Sequence, residues 1–297
     1  MFIGLFSLPR WVQKHQYKNK LFRDLTKRDL ERIQTGLAKF KDPNPEVTIV
    51  IPAWNEQDNI FRTLSSLAAN ETKRKVEIVV VNNNSTDKTQ KVLDTLGVVN
   101  YFEQEQGITF ARQQGLEKAK GKFHLCADSD TYYPPTWIDE MVETLEQSDK
   151  IVGVYGRYAF IPEIESERFL FWIYERFAAI IIRLRRKKRE HINFLGFNMG
   201  FKAAIGLRNG GFKVKQVRKF DNAAGSDYFV DESEDGRMAV NLMKTGKLAL
   251  VTSSKARVFT SCRRLVAEGG IVKAFVNRFK LHFARISEYL NGAKIED

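Results

Sequence analysis

The feature that most constrains the fold is a series of short apolar segments that alternate with helical patterns between Val47 and Ala127. The apolar segments are rich in β-branched residues, and stretches of about ten to fifteen residues with helical periodicity separate them. Strands buried on both faces read as continuous apolar runs, and a helix between two such strands gives a right-handed βαβ unit. The sequence therefore predicts an α/β fold with a mostly parallel sheet. The predicted strands are VTIVIP, VEIVVVN, VVNYF and KFHLCA.

Polar clusters follow three of these predicted strands. They are AWNE after the first strand, NNNSTD at the end of the second and DSD after the fourth. In open parallel sheets a ligand binds beyond the carboxyl ends of the strands. We therefore expect the three clusters to converge at one edge of the sheet.

The last cluster sets two carboxylates, Asp128 and Asp130, one residue apart. Two carboxylates about 5 Å apart repel by roughly 3 kcal/mol at an effective dielectric constant of 20, so a proton or a cation must accompany them. If the cation is a metal, oxygen ligation selects Mg²⁺ or Mn²⁺, which bridge protein carboxylates to a diphosphate. The alternative is structural, with Asp128 capping the turn into the next helix and Asp130 solvated.

The first two clusters also have both a functional and a structural interpretation. Trp54 can stack on a nucleobase while Asn55 and Glu56 reach the ribose or the base, or the segment is an ordinary helix-entry turn with Trp54 on the core. The segment from Asn82 to Asp87 can contact the edge of a base or cap the following helix.

The later part of the chain contains KLALVT and ARVFTS, which are predicted to form a strand pair, and further charged residues. Glu232, Glu234 and Asp235 lie at the predicted start of a helix, where acids favour the helix dipole and where one carboxylate can serve as a general base. Arg263 and Arg264, in TSCRR, suit a diphosphate and suit a solvated basic turn equally well.

The order of the motifs is more specific than any one of them. VTIVIPAWNE, VVVNNNSTD, the FARQQG helix leading to DSD, NGGF and EDGRMAVNLMKTG resemble, in this order, the family 2 glycosyltransferases of the GT-A fold over roughly residues 46–250. The resemblance implies a Rossmann-like, mostly parallel central sheet with helices on both faces and a smaller acceptor-side subregion. It also implies a nucleoside-diphosphate sugar donor, Mn²⁺ or Mg²⁺ as cofactor and an inverting single displacement.

The resemblance further implies the residues around the nucleotide. These are Pro52, Trp54, Glu56, Asn83, Arg112 and Asp128. Asn83 stands where many members have an aspartate that contacts the base, and this departure leaves a UDP-sugar and a GDP-sugar both open. Gln113 replaces the asparagine that usually follows the arginine at position 112.

Metal and catalytic residues are implied in the same way. Asp128 and Asp130 match the Asp-x-Asp metal signature of the family. Asp235 matches the last acid of the family's Glu-Asp pair, which is the general base that takes the proton of the acceptor hydroxyl. Looser matches are Arg263 and Arg264 for the diphosphate, and Asn198 and Glu234 for the acceptor.

This resemblance divides the chain into four segments. We expect a basic helical flank at residues 1–45, a nucleotide-sugar-binding half at 46–155, an acceptor-binding half at 156–260 and a second basic helical flank at 261–297. The acceptor is expected to be a glycan or a lipid-linked molecule.

The net charge of +12 gives the sign of a partner's charge without identifying the partner. In the segment 167–190, an aromatic and aliphatic stretch runs into the polybasic RLRRKKRE. This composition suits contact with an anionic membrane, or a buried helix followed by a solvated loop.

The sequence has no signal-peptide pattern, no long apolar run and only two cysteines. We therefore expect a cytoplasmic protein, which would be peripheral on the inner membrane face if the basic segment binds lipid.

Two other classes explain parts of the sequence. A nucleic-acid-binding protein would account for the charge, but the sequence contains no recognisable binding motif and the acids at the element ends would have no role. A nucleotidyltransferase-like enzyme would share the sheet, but the early Gly-rich phosphate loop of such enzymes is missing. We therefore expect a sugar transferase that does not bind nucleic acid.

Overall fold

The structure of the protein, a computed structural model, describes residues 7–214 and 233–291. Its first half follows the alternation that the sequence predicts. The elements are α1 (Arg10–His15), α2 (Lys27–Ala38), β1 (Val47–Ala53), α3 (Ile60–Ala68), β2 (Val76–Asn83), α4 (Thr89–Leu96), β3 (Val99–Glu103), α5 (Ile108–Lys118) and β4 (Phe123–Cys126).

The second half has shorter strands and the longest helix of the described part, α7. The elements are β5 (Thr131–Tyr132), α6 (Trp137–Glu146), β6 (Ile151–Gly156), β7 (Tyr158–Ile161), α7 (Arg168–Arg185), β8 (Met199–Lys202), α8 (Ala203–Arg208), α9 (Glu234–Met243), β9 (Lys247–Val251), β10 (Val258–Ser261), α10 (Arg263–Ala267), α11 (Ile271–Ala284) and α12 (Ile286–Asn291). Glu232, one of the acids noted in the sequence, lies outside the described residues.

The strands of residues 7–214 and 233–291 form one large sheet and one small sheet. The large sheet has the order β3-β2-β1-β4-β8-β6-β9, and β8 alone runs antiparallel to its neighbours. The small sheet has the order β5-β10-β7. The predicted α/β fold with a mostly parallel sheet is confirmed. The sequence suggested that KLALVT and ARVFTS form a strand pair, which is wrong, because β9 pairs with β6 and β10 pairs with β5 and β7.

The strand register brings the three polar clusters to one edge. β1 pairs in parallel with β2 up to Ala53 opposite Asn82, and with β4 up to Val50 opposite Cys126. Because the three strands run in the same direction, the segments that follow them leave the sheet on the same side. Pro52 lies beyond the last pair between β1 and β4, where no donor to β4 is needed.

Apolar side chains cover both faces of the large sheet. Ile49 and Ile51 of β1 belong to a core that includes residues of α3 and α6, whereas Val50 packs with Val79 of β2 and Ala111 of α5. Successive side chains of a strand point to opposite faces, so both faces of β1 must be apolar. This explains why β1 reads as a continuous apolar run in the sequence.

The described part of the N-terminal flank contains the helices α1 and α2. Thr26 caps the N-terminus of α2: its hydroxyl accepts from the backbone N–H of Asp29, while the Asp29 carboxylate accepts from the N–H of Thr26. This reciprocal capping fixes the start of α2. Gly36 lets α2 approach α3, since a Cβ at this position would lie 2.7 Å from the Cβ of Ala68. The division of the chain into four functional segments stays a prediction.

Candidate active site

The loops after β1 and β2 hold each other in place. Asn55, at a φ of 54°, accepts from the backbone N–H of Thr86 at 2.8 Å, and its own N–H donates to Oγ of Ser85 at 3.0 Å. The N–H of Glu56 donates to Oγ1 of Thr89 at 2.8 Å. Asparagine tolerates the left-handed conformation better than most residues, which suits it to this turn. The NNNSTD cluster therefore shapes the loop that carries the residues after β1.

Asn83 ends β2 and is buried. Its Nδ2 donates to the carbonyl of Glu105 at 2.6 Å, and its Oδ1 accepts from the N–H of Gly107 at 2.8 Å. Both ends of the amide thus join β2 to the loop before α5. This geometry gives Asn83 a structural role, and we place no base contact on it.

Arg112, which the sequence assigned to the nucleotide, is the buried centre of a group of acids. Its side chain is 2% exposed, and Nη2 donates to Oδ1 of Asp128 at 2.8 Å. Nε lies 3.4 Å from Oδ1 of Asp235 and 3.8 Å from Oε1 of Glu234. Burial alone would lower the pKa of Arg112, but the negative charges of Asp235 and Asp128 raise it above its ordinary value. The guanidinium stays charged and holds the acids together.

Asp235, the predicted general base, lies in the first turn of α9 within this group. Its Oδ2 accepts from the backbone N–H of Gly196 at 2.7 Å. Burial raises the pKa of Asp235 to about 7. The positive charge of Arg112 opposes this shift, whereas the negative charges of Glu234 and Asp128 add to it. A carboxyl group that titrates near neutral pH can accept a proton under physiological conditions.

Gly196 is a site residue that the sequence reasoning missed. Besides its N–H to Asp235, its carbonyl lies 3.5 Å from Nη1 of Arg112. A Cβ at this position would overlap Nη2 of Arg112 and lie 2.7 Å from Oδ1 of Asp235. The one signal in the sequence was a glycine inside FLGFN, and a single glycine in a loop does not reveal what approaches it.

We expect Gly196→Ala to displace Arg112 and Asp235, and to lower both stability and turnover. Overpacking a tight buried site costs roughly 1–3 kcal/mol, so the Tm should fall by several degrees. Gly236→Ala is the matched control, because an added Cβ there meets Oγ of Ser233 at 3.1 Å and no backbone atom closely. A thermal melt of both variants gives the comparison. A Gly196→Ala protein as stable and as active as wild type would contradict this close approach.

The two carboxylates of the Asp-x-Asp segment have different arginine partners. Asp128 binds Arg112, whereas Oδ2 of Asp130 accepts from Nη2 of Arg263 at 3.0 Å. The backbone N–H of Asp128 donates to the hydroxyl of Tyr133 at 2.9 Å, and this hydroxyl donates to a loop carbonyl, that of Phe197. Tyr133, which the sequence did not single out, thus fixes the direction in which the Asp-x-Asp segment leaves β4.

Arg263 also binds Glu56, so that one guanidinium is shared by two acids. Nη2 of Arg263 lies 2.6 Å from Oε1 of Glu56, whose Oε2 accepts from Nδ2 of Asn59 at 2.7 Å. Burial raises the pKa of Glu56 to about 7, with Asp130 adding to the shift and Arg263 opposing it. Burial likewise raises the pKa of Asp130, while Arg263 and then the charge of Arg264 counteract it.

This second group fits a divalent metal. The carboxylate of Asp130 is 26% exposed, and carboxylate oxygens are the ligands that Mg²⁺ and Mn²⁺ prefer. Among residues 7–214 and 233–291, no three acids, histidines or cysteines gather into a complete metal cage. A metal bound here would therefore need ligand phosphates or water to complete its coordination, which is the usual behaviour of Mg²⁺.

A cavity of about 960 Å³ adjoins this second group. Asp130 and Arg263 lie in its wall, together with Leu8 from the N-terminal flank, Ile161 at the end of β7 and Phe169 at the start of α7. The cavity therefore joins the Asp-x-Asp edge of the large sheet to the small sheet and the helical flanks.

Residues 48–206 match the family model described as glycosyl transferase family 2, which is more than half of the 297-residue chain. The chain belongs to glycosyl transferase family 2. The family membership expected from the order of motifs is confirmed.

Relatives of this family 2 chain include enzymes named for lipid-linked substrates. The glucosyl-dolichyl phosphate glucuronosyltransferase of Haloferax volcanii is 26% identical over 187 residues, which are 59% of this chain and 58% of the relative. The dolichol-phosphate mannosyltransferase of Saccharomyces cerevisiae is 29% identical over 123 residues, 38% of this chain and 45% of the relative. The chain spans less than two thirds of these relatives.

Solved structures share the fold at low identity. The mannosyltransferase PcManGT from Pyrobaculum calidifontis, in complex with GDP-Man and Mn²⁺, is 18% identical with a TM-score of 0.54, over 84% of this chain and 70% of that chain. S. aureus TarS 1-349 in complex with UDP is 15% identical with a TM-score of 0.51, over 82% and 69% of the two chains. The predicted GT-A fold of this family 2 chain is confirmed.

The structure places the remaining predicted residues as follows. Trp54 lies half-buried directly after β1, and Arg264 follows Arg263 in α10. Glu234 is buried beside Arg112. Asn198 accepts from Nε1 of Trp137 at 2.8 Å and donates to two backbone carbonyls, those of Arg157 at 2.8 Å and Ala256 at 3.2 Å. Because the Asn198 amide is fully engaged inside the protein, we do not assign it to the acceptor.

Proposed function

We propose that the protein is a metal-dependent, inverting glycosyltransferase that moves a sugar from a nucleoside-diphosphate sugar to an acceptor hydroxyl. The observation that carries the proposal is the arrangement of the two Asp-x-Asp carboxylates. Asp128 shares Arg112 with the carboxyl group of Asp235, and Asp130 shares Arg263 with Glu56 at the wall of a large cavity. In this proposal Asp235 is the proton acceptor, and Asp130 provides the cation-binding edge of the same site.

The donor nucleotide is expected at the carboxyl edge of β1 and β2. Pro52, Trp54 and Glu56 lie at the end of β1 and in the loop after it, where the loop from β2 holds the chain. Structures of the same fold bound to GDP-Man or to UDP support a nucleoside-diphosphate ligand. The proposal includes both a UDP-sugar and a GDP-sugar as the donor.

Mn²⁺ or Mg²⁺ would be held by Asp130, with Asp128 alongside, and when bound it supplies positive charge that stabilises the leaving diphosphate. Arg263 has a half-exposed side chain and five donors on a planar guanidinium, a geometry suited to phosphate oxygens. Arg264 adds a second positive charge close by. We expect the two arginines to bind the diphosphate of the donor.

Asp235 performs the proton transfer in this proposal. The acceptor hydroxyl oxygen forms a bond to the anomeric carbon and gives its proton to the Asp235 carboxylate. The bond from the anomeric carbon to the diphosphate oxygen breaks, and the nucleoside diphosphate leaves with the electron pair. Attack from the face opposite the leaving group inverts the anomeric configuration. Arg112 and the N–H of Gly196 orient the carboxylate for this transfer.

The cavity beside Asp130 is the proposed acceptor region. Its wall includes the apolar side chains of Leu8, Ile161 and Phe169 together with the charged side chains of Asp130 and Arg263. An acceptor with a polar sugar and an apolar anchor would match both kinds of group. Relatives named for dolichyl-phosphate substrates support a lipid-linked acceptor over a free small sugar.

The proposal is tested by thermal melts of the purified protein with UDP or GDP, each in the presence of Mn²⁺, Mg²⁺ or EDTA. We expect one nucleotide to raise the Tm by several degrees only with metal, because a ligand at 100 times its Kd stabilises the native state by about 2.7 kcal/mol. Metal alone and nucleotide with EDTA are the controls. If neither nucleotide gives a metal-dependent rise, the donor site is misassigned.

A further inference from the structure

Exposed apolar side chains are concentrated on α7 and on the two C-terminal helices, α11 and α12. In the described parts of the chain, 14 large apolar residues are exposed, and ten of them lie on α7, α11 and α12. Scattered apolar side chains are normal on a protein surface, but a contiguous group marks an interaction site. Of these ten residues, only Phe169 also lies in the wall of the cavity proposed above for the acceptor.

Three of the four exposed apolar residues of α7 and three of the four of α11 form two stripes with the same spacing. On α7 these three are Phe169, Ile173 and Ile180, and on α11 they are Val272, Val276 and Phe283. In each helix the second residue follows the first by four positions and the third follows the second by seven. Residues at this spacing lie on one side of an α-helix. We call these six residues the apolar face.

Aromatic packing holds the two stripes next to each other. The ring of Phe177 on α7 lies 3.9 Å from that of Phe279 on α11, measured between centroids, and Tyr174 stacks on Phe275 at 4.3 Å. Phe177 is four positions after Ile173 and three before Ile180, and Phe279 is three positions after Val276 and four before Phe283. Residues three or four positions apart are neighbours on a helix surface, so each of these two aromatic rings lies next to its stripe. The stripes therefore border one seam and form a continuous surface.

The exposed charged groups on α7, on α11 and on the turn after α7 are basic. Helix α11 contains no acid, and the one acid of α7, Glu175, is buried in an ion pair with Arg168 at 2.7 Å. The exposed charged side chains of the two helices and of the turn after α7 are Arg176, Arg183, Arg186, Lys187, Lys188, Lys273 and Lys280.

We propose that the apolar face docks on the surface of an anionic lipid bilayer. A helix surface with aromatic and aliphatic residues flanked by Lys and Arg inserts its apolar side chains at the headgroup boundary, while the basic side chains contact anionic lipids. A second copy of the chain is a poorer partner, because it carries the same basic rim and the same net charge of +12. Within residues 7–214 and 233–291, no helix is both long and apolar enough to span a bilayer.

Docking of the apolar face would also position the cavity next to the bilayer. Phe169 belongs to the apolar face and to the cavity wall, so the cavity opens beside the lipid surface. A lipid-anchored molecule could then enter the cavity without leaving the bilayer. This consequence rests on the proposed function, whereas the docking itself does not.

Sedimentation of the full chain with vesicles tests the docking. We expect binding to phosphatidylcholine vesicles that contain phosphatidylglycerol, and much weaker binding to phosphatidylcholine alone. The triple variant Ile173→Ser/Ile180→Ser/Val276→Ser should bind the anionic vesicles at least about tenfold more weakly. The matched control is Leu207→Ser/Met243→Ser, which removes apolar side chains of similar exposure, 43% and 44%, from α8 and α9. The control should bind like wild type.

A charge-reversal variant, Arg183→Glu/Lys280→Glu, keeps every apolar residue and should also lose at least about tenfold in affinity for the anionic vesicles. Equal binding by wild type and both sets of variants, or no binding of wild type to anionic vesicles, would overturn the proposal. So would light scattering that shows a dimer of wild type and a monomer of the triple variant, because the face would then join two copies. The assay contains no nucleotide, so its failure is distinct from a failure of the donor site, which the thermal melts report.

Discussion

Asp235→Asn is expected to lower turnover by about 10²- to 10⁴-fold, the usual contribution of a positioned general base. An amide cannot take the proton of the acceptor hydroxyl, while it can still accept from the N–H of Gly196, so the local structure should persist. The donor binds through other residues, and its Kd should change by less than about threefold. Turnover measured at saturating donor, together with calorimetric titration of the nucleoside diphosphate, separates the two effects.

Glu234→Gln is the informative comparison for this variant. Glu234 lies next in sequence to Asp235 and shares Arg112 with it, but is not assigned the proton transfer. Because the pKa of Asp235 is raised to about 7, its carboxylate is increasingly protonated below that pH, and turnover of wild type should fall there. Removing the negative charge of Glu234 lowers the pKa of Asp235, so the acidic limb should move to lower pH. An Asp235→Asn protein with most of its activity, or a wild-type rate that is flat from pH 5 to pH 8, would mean that another group is the base.

The central sheet and the edge at which the three polar clusters meet could be predicted because they depend on local patterns. β1, β2 and β4 are buried on both faces, so each reads as an apolar run, and parallel strands must deliver their following loops to one edge. The prediction of a strand pair from the sequences of β9 and β10 failed for a related reason. Two strands that follow each other closely suggest a hairpin, but the sequence does not show that the neighbours of each strand come from distant parts of the chain.

The partners of the site residues could not be predicted, because they come from distant segments. Arg263 and Glu56 are 207 residues apart in sequence, and Gly196 meets Arg112 across 84 residues. Asn83 and Asn198 have the residue type and the position of ligand-binding amides, yet their amides bind the protein's own backbone. A polar residue near a site has either role, and only the folded positions of the surrounding carbonyl groups decide between them.

Asp130→Asn is expected to remove the metal-dependent rise in Tm and to lower turnover by about 10²- to 10⁴-fold, since a bound metal ion supplies several kcal/mol of charge stabilisation. The substitution should not destabilise the unliganded protein. The negative charge of Asp130 raises the pKa of Glu56. Without that charge, the Glu56 carboxylate ionises more readily and retains its ion pair with Arg263. The expected signature is therefore an unchanged or higher Tm without ligand, combined with no response to Mn²⁺ or Mg²⁺ in the presence of nucleotide.

Ser129→Ala is the matched control for Asp130→Asn, because it changes the residue between the two carboxylates and leaves both of them in place. The carbonyl of Ser129, which accepts from Oγ1 of Thr63 at 2.8 Å, is also retained. This variant should show the wild-type response to metal and nucleotide. If Asp130→Asn also kept that response, the metal would have to bind elsewhere. The carboxylate of Asp130 would then serve only to pair with Arg263, and the Asp-x-Asp segment would be a structural feature of this site.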